Sequence, residues 1–183
     1  GAQVYSAATT GEQAREVFDV ARNMAEREPV FKKRFDVDVG KHDITIAATA
    51  SGAKPLNAEG STLDGLNIHG AIVDELHAHK TRALYDVLDS ATGARSQPLI
   101  IMITTAGSDR SGICYEQRDY TIKVLERTIE DESWFGMIFT LDDGDLWHDP
   151  AVWRKSNPNY GISVKEDDMQ AACRKALATP SAQ

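Results

Sequence analysis

Two kinds of apolar periodicity alternate along this chain. Short runs of apolar and β-branched residues predict five strands, at Gln3–Ala8, Asp43–Thr49, Gly70–Val73, Leu99–Thr104 and Trp134–Leu141. Apolar residues three and four positions apart predict helices from Thr10 to Pro29, over Thr81–Thr92, over about Gly112–Glu130 and after Ser163. Strands that alternate with helices predict an α/β fold.

Local signals refine this prediction. Ser163 and Glu166 form a capping-box pattern for the last helix, as do the threonines before the first one. The glycines between Ser51 and Asn67 predict a loop without regular structure. The Gly70–Val73 run lacks polar residues, as expected of a strand covered on both faces. We therefore predict a mostly parallel sheet flanked by helices, with a small helical tail after a polar turn that begins at Asp142.

Composition limits the class of protein. The 183 residues are 42% apolar and 26% charged, which is ordinary for one globular domain with or without a short extension. The longest apolar run is far shorter than the roughly 20 residues of a membrane helix. Two cysteines without a CxxC pair fit a reducing setting. The formal charge of −8 argues against non-specific coating of DNA, but it is compatible with an enzyme that has a local basic patch.

Two of the predicted strands end in polar residues that could carry chemistry. Asp74 and Glu75 follow Gly70–Val73, and Thr104 and Thr105 stand at the end of the next strand. Parallel strands end at one edge of a sheet, where ligands bind. Asp74 could hold Mg²⁺ directly or through water, Glu75 could polarise an attacking water, and the hydroxyls could sense a terminal phosphate. The pattern predicts a nucleotide-hydrolysing site; the alternative is a strand that merely ends at the surface.

The phosphate-binding loop that such a site needs does not occur in this sequence. A P-loop carries GxxxxGK[ST], whose backbone amides and lysine cradle the phosphates. The nearest string, Gly52-Ala53-Lys54, lacks both the first glycine and the hydroxyl residue. From the residues alone, the sequence thus predicts the hydrolytic residues at the strand ends but not the phosphate-binding loop that they would need.

Several stretches, in the same order, resemble the large terminase subunit of tailed bacteriophages, in particular its HK97-like members. The central stretch is GLNIH followed by AIVDELHAH, at residues 65–69 and 71–79. Four others agree: AATT with Gln13-Ala14, ITTAG at residues 103–107, the acidic turn at residues 142–147, and the W-x-x-x-NP-x-x-G signature at residues 153–161. The family contains the motor that packages DNA into the phage capsid.

This resemblance implies a RecA-like P-loop NTPase core, of the ASCE class, that lacks its Walker A segment. It makes Asp74 the Walker B aspartate, associated with Mg²⁺ through water, and Glu75 the catalytic glutamate. Thr104, Thr105 and Gly107 belong to the motif that couples ATP hydrolysis to DNA movement. The DNA-contacting residues and the arginine finger of the family cannot be assigned in this sequence.

The resemblance also implies a larger protein. Residues 1–145 are expected to form a truncated ATPase core, and residues 146–183 a helical linker or subdomain leading toward a nuclease domain. The intact protein would package double-stranded DNA with Mg-ATP and cleave DNA. Its expected partners are the portal protein, the small terminase subunit and copies of itself in a ring, without a membrane. It would act in the cytoplasm of the bacterial host, outside the mature virion. Without a Walker A loop, this piece alone is expected to be inactive.

Two other functions stay open. The chain could belong to another helicase-like P-loop NTPase, which a second RecA-like domain downstream would favour. It could also be a catalytically inactive prophage remnant or a binding module.

Other candidate sites have ordinary explanations. His77 and His79 suggest zinc but lack a third ligand at suitable spacing, so we interpret them as shaping the loop after Glu75. The acidic run at residues 142–149 departs from the EF-hand pattern and is interpreted as a solvated turn. Trp147 and Trp153 could stack on DNA, but packing of the tail is the favoured interpretation.

Two arginines and two cysteines complete the candidates. Arg82 and Arg110 lie beyond strand ends and could approach a phosphate, although exposed surface arginines are the commoner case. Cys114 and Cys173 fall within helical patterns, and we expect them to be small buried hydrophobic residues.

Overall fold

A computed structural model of the chain describes residues 1–57, 65–107 and 110–179. The chain divides into two compact units, Gly1–Tyr120 and Thr121–Gln183. The boundary expected between residues 145 and 146 concerns the domains of a longer protein and stays a prediction.

One six-stranded sheet organises the first unit. Its strands are β1 Gln3–Ala8, β2 Val37–Val39, β3 Ile44–Ile46, β4 Ser51–Asn57, β5 Gly70–Val73 and β6 Leu99–Met102. They lie in the order β2-β3-β4-β1-β5-β6. The strands β4, β1, β5 and β6 are parallel, whereas β2 and β3 extend the sheet in antiparallel fashion. The predicted α/β fold is confirmed, with a mixed sheet whose central strands are parallel.

The helices of the chain are α1 Gly11–Arg27, α2 Pro29–Phe35, α3 Ala83–Ser90, α4 Ile113–Leu125, α5 Trp153–Ser156 and α6 Glu166–Ala178. As predicted, Thr10 caps α1, and its side chain accepts the backbone N–H of Gln13. Helix α1 ends shortly before Pro29, which is the first residue of α2. The first N–H groups of a helix have no partner within it, so the N–H that proline lacks costs no hydrogen bond there.

Side chains of β1 enter two different layers, because alternate residues of a strand face opposite sides. Tyr5 and Ala7 belong to the buried apolar cluster, which also contains Leu84 and Leu88 of α3. On the other face, the Ser6 hydroxyl donates to a backbone carbonyl of α1 over 2.8 Å. The parallel sheet is therefore covered by helices on both faces, as its apolar strands require.

The segment predicted as a loop contains strand β4, so that prediction is wrong for residues 51–57. The strand pairs with β1 over residues 52–57, and with β3 only at residues 51–53. Pro55 lies beyond the β3 pairs, where one side of β4 is an edge and proline is tolerated. Residues 65–69 lack regular structure, and residues 58–64 of the predicted loop lie outside the described residues.

Other predicted elements differ as well. No strand is formed over Trp134–Leu141, although Trp134, Gly136 and Ile138 are partly buried and the residues between them are exposed. Apolar alternation persists there, but the segment has no partner in the sheet. The predicted Asp43–Thr49 strand is shortened to β3, because a 3₁₀ turn follows at Ala47–Thr49. Strand β2 and helix α2 were not predicted.

Short capped elements make up the second unit. Asp149 caps a 3₁₀ turn that begins at Pro150, and its carboxylate accepts the N–H of Ala151 over 2.9 Å. Helix α6 begins after Lys165 rather than at the predicted Ser163 cap. The Ser163 hydroxyl instead contacts the Asn159 amide, which draws it away from the helix start.

The W-x-x-x-NP-x-x-G signature has a structural explanation. Trp153 is buried and donates through Nε1 to the Trp147 carbonyl over 2.8 Å, as the packing interpretation expects. The Asn157 amide donates to the Trp153 carbonyl over 2.9 Å and closes α5. Gly161 has a φ of +86°, which glycine adopts without strain. Among the described helices, none combines the length and the hydropathy needed to cross a bilayer.

Candidate functional site

Neighbouring parallel strands place the predicted site residues at one edge of the sheet. The register pairs Val73 at the end of β5 with Met102 at the end of β6. The backbone ladder continues one step further, since Ile103 N–H donates to the Val73 carbonyl and Asp74 N–H to the Ala7 carbonyl, each over 2.9 Å. Residues 74 and 75 therefore leave the sheet beside residue 104, as the sequence predicted for parallel strands.

The Asp74 carboxylate is held close to the backbone. Its Oδ1 accepts the Glu75 N–H over 2.9 Å, and the residue is partly exposed. The carboxylate oxygens of Asp74 thus lie at the carboxyl ends of the parallel strands. Mg²⁺ prefers oxygen ligands of this kind.

Glu75 has a left-handed backbone, with φ +51° and ψ +49°. Such a conformation costs an L residue about 1–3 kcal/mol and is kept only where the surroundings determine it. Buried Leu76 and the 3₁₀ turn Leu76–Ala78 follow at once, and the Ala78 N–H donates to the Glu75 carbonyl over 2.8 Å. The strained turn redirects the chain, and the Glu75 side chain, 39% exposed, lies at the strand edge.

His77 connects Glu75 with the end of β6. Its Nδ1 lies 3.0 Å from Glu75 Oε2 and 3.0 Å from Thr104 Oγ1. Its backbone N–H also donates to Thr104 Oγ1 over 3.0 Å. An ionised carboxylate only accepts hydrogen bonds, so a hydrogen bond between Glu75 and His77 requires the form of the ring with its hydrogen on Nδ1. From the sequence, His77 is expected only to shape the loop after Glu75.

The residues after β6 differ in what they contribute. The Thr104 hydroxyl donates to the Thr105 carbonyl over 2.9 Å, whereas the Thr105 side chain is exposed. Gly107 packs against His77, since a Cβ added to Gly107 would lie 2.8 Å from His77 Cβ. Thr104 and Gly107 thus both contact His77, whereas the Thr105 side chain makes no hydrogen bond to another of the described residues.

The described residues do not support a zinc site at the two histidines. They contain no group of three or more His, Cys, Asp or Glu side chains able to hold a metal. His77 lies in a 3₁₀ turn rather than a strand, so the histidines share no strand face. Burial lowers the pKa of His79, which keeps its ring neutral at pH 7.

The other candidates have mostly structural surroundings. Arg82 pairs with Asp86 at 2.9 Å and with Glu116 at 3.0 Å, and its hydrogen bond to Asp86 raises its pKa further. Arg110 is exposed. Both cysteines are partly buried rather than buried as expected, and Cys114 packs against the apolar cluster.

The acidic turn of the second unit surrounds a lysine. Lys155 Nζ lies 2.7 Å from Asp142 Oδ2 and 2.7 Å from Asp145 Oδ2. The Lys155 hydrogen bond lowers the pKa of Asp145. The acidic turn is therefore ion-paired to one lysine, a contact that the interpretation as a solvated turn did not include.

The donor set at the strand edge fits Mg²⁺ bound with its own water. One or two carboxylates, a hydroxyl and partial exposure are what this ion uses when it also contacts substrate phosphates. The fold is an open α/β sheet, and its acidic pair lies at the carboxyl ends of parallel strands, where such sheets bind ligands.

The chain belongs to the family of terminase large subunit ATPase domains, whose model matches residues 1–123. It is 43% identical over 113 residues to protein YmfN of Escherichia coli (strain K12), covering 62% of this chain and 25% of YmfN. It is 28% identical over 182 residues to the terminase large subunit of Enterobacteria phage HK97, covering 98% of this chain and 35% of that protein. It thus spans about a third or less of these relatives.

The fold resembles a solved structure of the same family. The crystal structure of the HK97 bacteriophage large terminase superimposes with a TM-score of 0.82 at 24% sequence identity. The match covers 99% of this chain and 37% of that one. This likeness confirms the predicted RecA-like fold.

Proposed function

We propose that this chain is the ATP-hydrolysing part of a phage or prophage large terminase subunit, which uses Mg-ATP to drive double-stranded DNA into a procapsid. The observation that carries the proposal is the Asp74-Glu75 pair at the carboxyl end of β5, beside Thr104. Family membership supports ATP as the nucleotide.

The side chains divide the work of hydrolysis between them. Asp74 would hold Mg²⁺ through water, and the ion would neutralise phosphate charge. Glu75 accepts a hydrogen bond from the attacking water and orients it. Thr104, Thr105 and Gly107 transmit the state of the nucleotide to the DNA-moving parts. Phosphoryl transfer depends chiefly on such positioning and on electrostatic stabilisation.

We further propose the setting in which this chemistry serves packaging. The complete protein would assemble as a ring, contact the portal protein and the small terminase subunit, and work in the host cytoplasm outside the mature virion. Residues 1–145 would be the ATPase core and residues 146–183 the start of the connection to a nuclease domain.

The 183-residue chain alone should neither bind ATP tightly nor hydrolyse it, because no P-loop string occurs in its sequence. Titration calorimetry of the chain with Mg-ATP tests this directly. Micromolar binding would contradict the proposal that phosphate binding depends on a segment outside these residues.

A packaging assay tests the proposed function. The protein as its gene encodes it is compared with Glu75→Ala and with a matched control, Glu16→Ala, on the exposed side of α1. Glu75→Ala should abolish DNA packaging, and the control should package normally. Unchanged packaging with Glu75→Ala would remove Glu75 from its role and favour a binding module.

A further inference from the structure

We propose that His77 is a positioning residue, which holds the Glu75 carboxylate for hydrolysis and ties it to the end of β6. The inference rests on the proposed function of Glu75 and adds a residue to it. In this account, the strand end that carries the coupling residues acts on Glu75 through one imidazole ring.

The Glu75 side chain needs a partner to keep one orientation. It is 39% exposed and has several rotatable bonds, so the fixed left-handed backbone alone does not define where the carboxylate lies. The ring of His77 supplies the contact, 3.0 Å from Nδ1 to Oε2. A catalytic group must keep its orientation closely, since small displacements are costly in rate.

Three contacts hold His77 in place. Thr104 Oγ1 meets both the backbone N–H and the Nδ1 of His77, each at 3.0 Å. Its own hydrogen goes to the Thr105 carbonyl, so the Thr104 oxygen is the acceptor in both contacts. Gly107 closes the other side, because no Cβ fits beside His77 Cβ. A shift of residues 104–107 therefore moves the ring, and with it the donor that Glu75 uses.

The single Nδ1 hydrogen has two acceptors at equal distance. Glu75 Oε2 carries negative charge, and charge-assisted hydrogen bonds are the stronger kind. Thr104 competes for the same hydrogen from the β6 side. The position of Glu75 thus depends on how the β6 end holds Thr104.

Substitutions of His77 distinguish its two ring nitrogens. The amide nitrogen of Asn branches from Cγ as Nδ1 does, whereas that of Gln lies near the position of Nε2. In the protein as its gene encodes it, His77→Ala and His77→Gln should lower kcat for ATP hydrolysis at least about tenfold, with KM for Mg-ATP within about twofold. His77→Asn should stay within about threefold of the parent.

Two further variants complete the comparison: one is a control, and the other displaces His77 without replacing it. His42→Asn, at an exposed histidine between β2 and β3, should leave kcat unchanged. Gly107→Ala should reproduce the kcat loss of His77→Ala, since its Cβ displaces His77. Equal rates for the Asn, Gln and Ala variants of His77 would overturn the inference.

A double variant separates this inference from the proposed function. If His77 acts through Glu75, Glu75→Gln with His77→Ala should be no slower than Glu75→Gln alone. Additive losses would overturn the positioning role. If Glu75→Gln leaves hydrolysis intact, the proposed function fails; if it abolishes hydrolysis while every His77 variant keeps full kcat, only this inference fails.

The ring gives a readout independent of activity. In protein labelled with ¹⁵N-histidine, the signals lost in His77→Asn identify the His77 ring, and their shifts should show the hydrogen on Nδ1. Glu75→Gln should shift the Nδ1 signal. An Nε2–H tautomer in the parent protein would overturn the inference, whatever the kinetics show.

Discussion

The contacts inside the first compact unit differ in kind from those inside the second. In the first unit, apolar side chains from β1, β4, β5, α3 and the start of α4 form one buried cluster. Among the described residues of the second unit, only Thr121 and Trp153 are buried. This unit also contains exposed polar contacts, such as the pairs of Lys155 with Asp142 and Asp145. The unit with the buried apolar cluster therefore carries the strand edge, where geometry must be kept closely.

The largest effect on stability should come from the core of the first unit. Leu88 is fully buried in α3, so Leu88→Ala removes apolar contacts and leaves a cavity. The free energy of unfolding should fall by about 2–5 kcal/mol. Urea unfolding followed by circular dichroism measures the change. Val20→Ala, at a site 61% exposed, is the control and should change stability little; equal effects of both would break the comparison.

The second unit should depend on one side chain. Trp153→Phe removes the hydrogen bond to the Trp147 carbonyl and part of the only large buried side chain described there. We expect a loss of about 2 kcal/mol, seen in the unfolding of this unit by hydrogen exchange. Trp147→Phe keeps the backbone carbonyl and should cost less. The reverse order would contradict the assignment of Trp153 as the anchor.

Strain at Glu75 provides a test of opposite sign. Its φ of +51° suits glycine, so Glu75→Gly should raise the free energy of unfolding by about 1 kcal/mol. Glu16→Gly, in the middle of α1, should lower it by about 1 kcal/mol. Urea unfolding of both variants gives the comparison. A loss of stability in both would show that the left-handed turn at Glu75 stores no strain.

The smallest effect concerns the exposed ion pairs of the second unit. The pKa of Asp145 is lowered in the folded chain, chiefly by its hydrogen bond from Lys155. The ionised Asp145 side chain therefore stabilises the fold at pH values above the ordinary carboxyl pKa of about 3.9. This stabilisation is lost as the pH falls through the lower pKa of Asp145 in the folded chain. Asp145→Asn should reduce the loss of stability in this acid range.

The control for this pH dependence lies in the same turn. Asp143→Asn leaves both Lys155 pairs in place and should preserve the acid dependence of the parent chain. Thermal unfolding from about pH 5 down to about pH 2 measures it, because the loss lies below the ordinary carboxyl pKa. Identical profiles for the parent chain and Asp145→Asn would mean that the ion pair contributes nothing.

The units also differ in how far the sequence predicts them. The strands at Gln3–Ala8 and Gly70–Val73 and the Thr10 cap follow from local pattern, because burial and capping leave local signals. Strand β4 does not, since its pairing with β1 and β3 outweighs the glycine and proline that it contains. The segment at residues 134–141 shows the converse, an alternating pattern without a strand partner.

The site could be predicted only in part. Because parallel strands end together, the sequence brings Asp74, Glu75 and Thr104 to one edge. The link through His77 depends on the left-handed backbone of Glu75, which is uncommon for this residue type and has no sequence pattern. Gly107 matched a family motif, but its close approach to His77 appears only in three dimensions.

The most direct test of the central claim separates hydrolysis from nucleotide binding in Glu75→Gln. The change keeps the size and hydrogen-bonding ability of the side chain but removes the charge that polarises water. In the protein as its gene encodes it, hydrolysis should fall at least about 100-fold, while the Kd for Mg-ATP changes less than about threefold. Hydrolysis at the parent rate would contradict the assignment of this strand edge as the hydrolytic site.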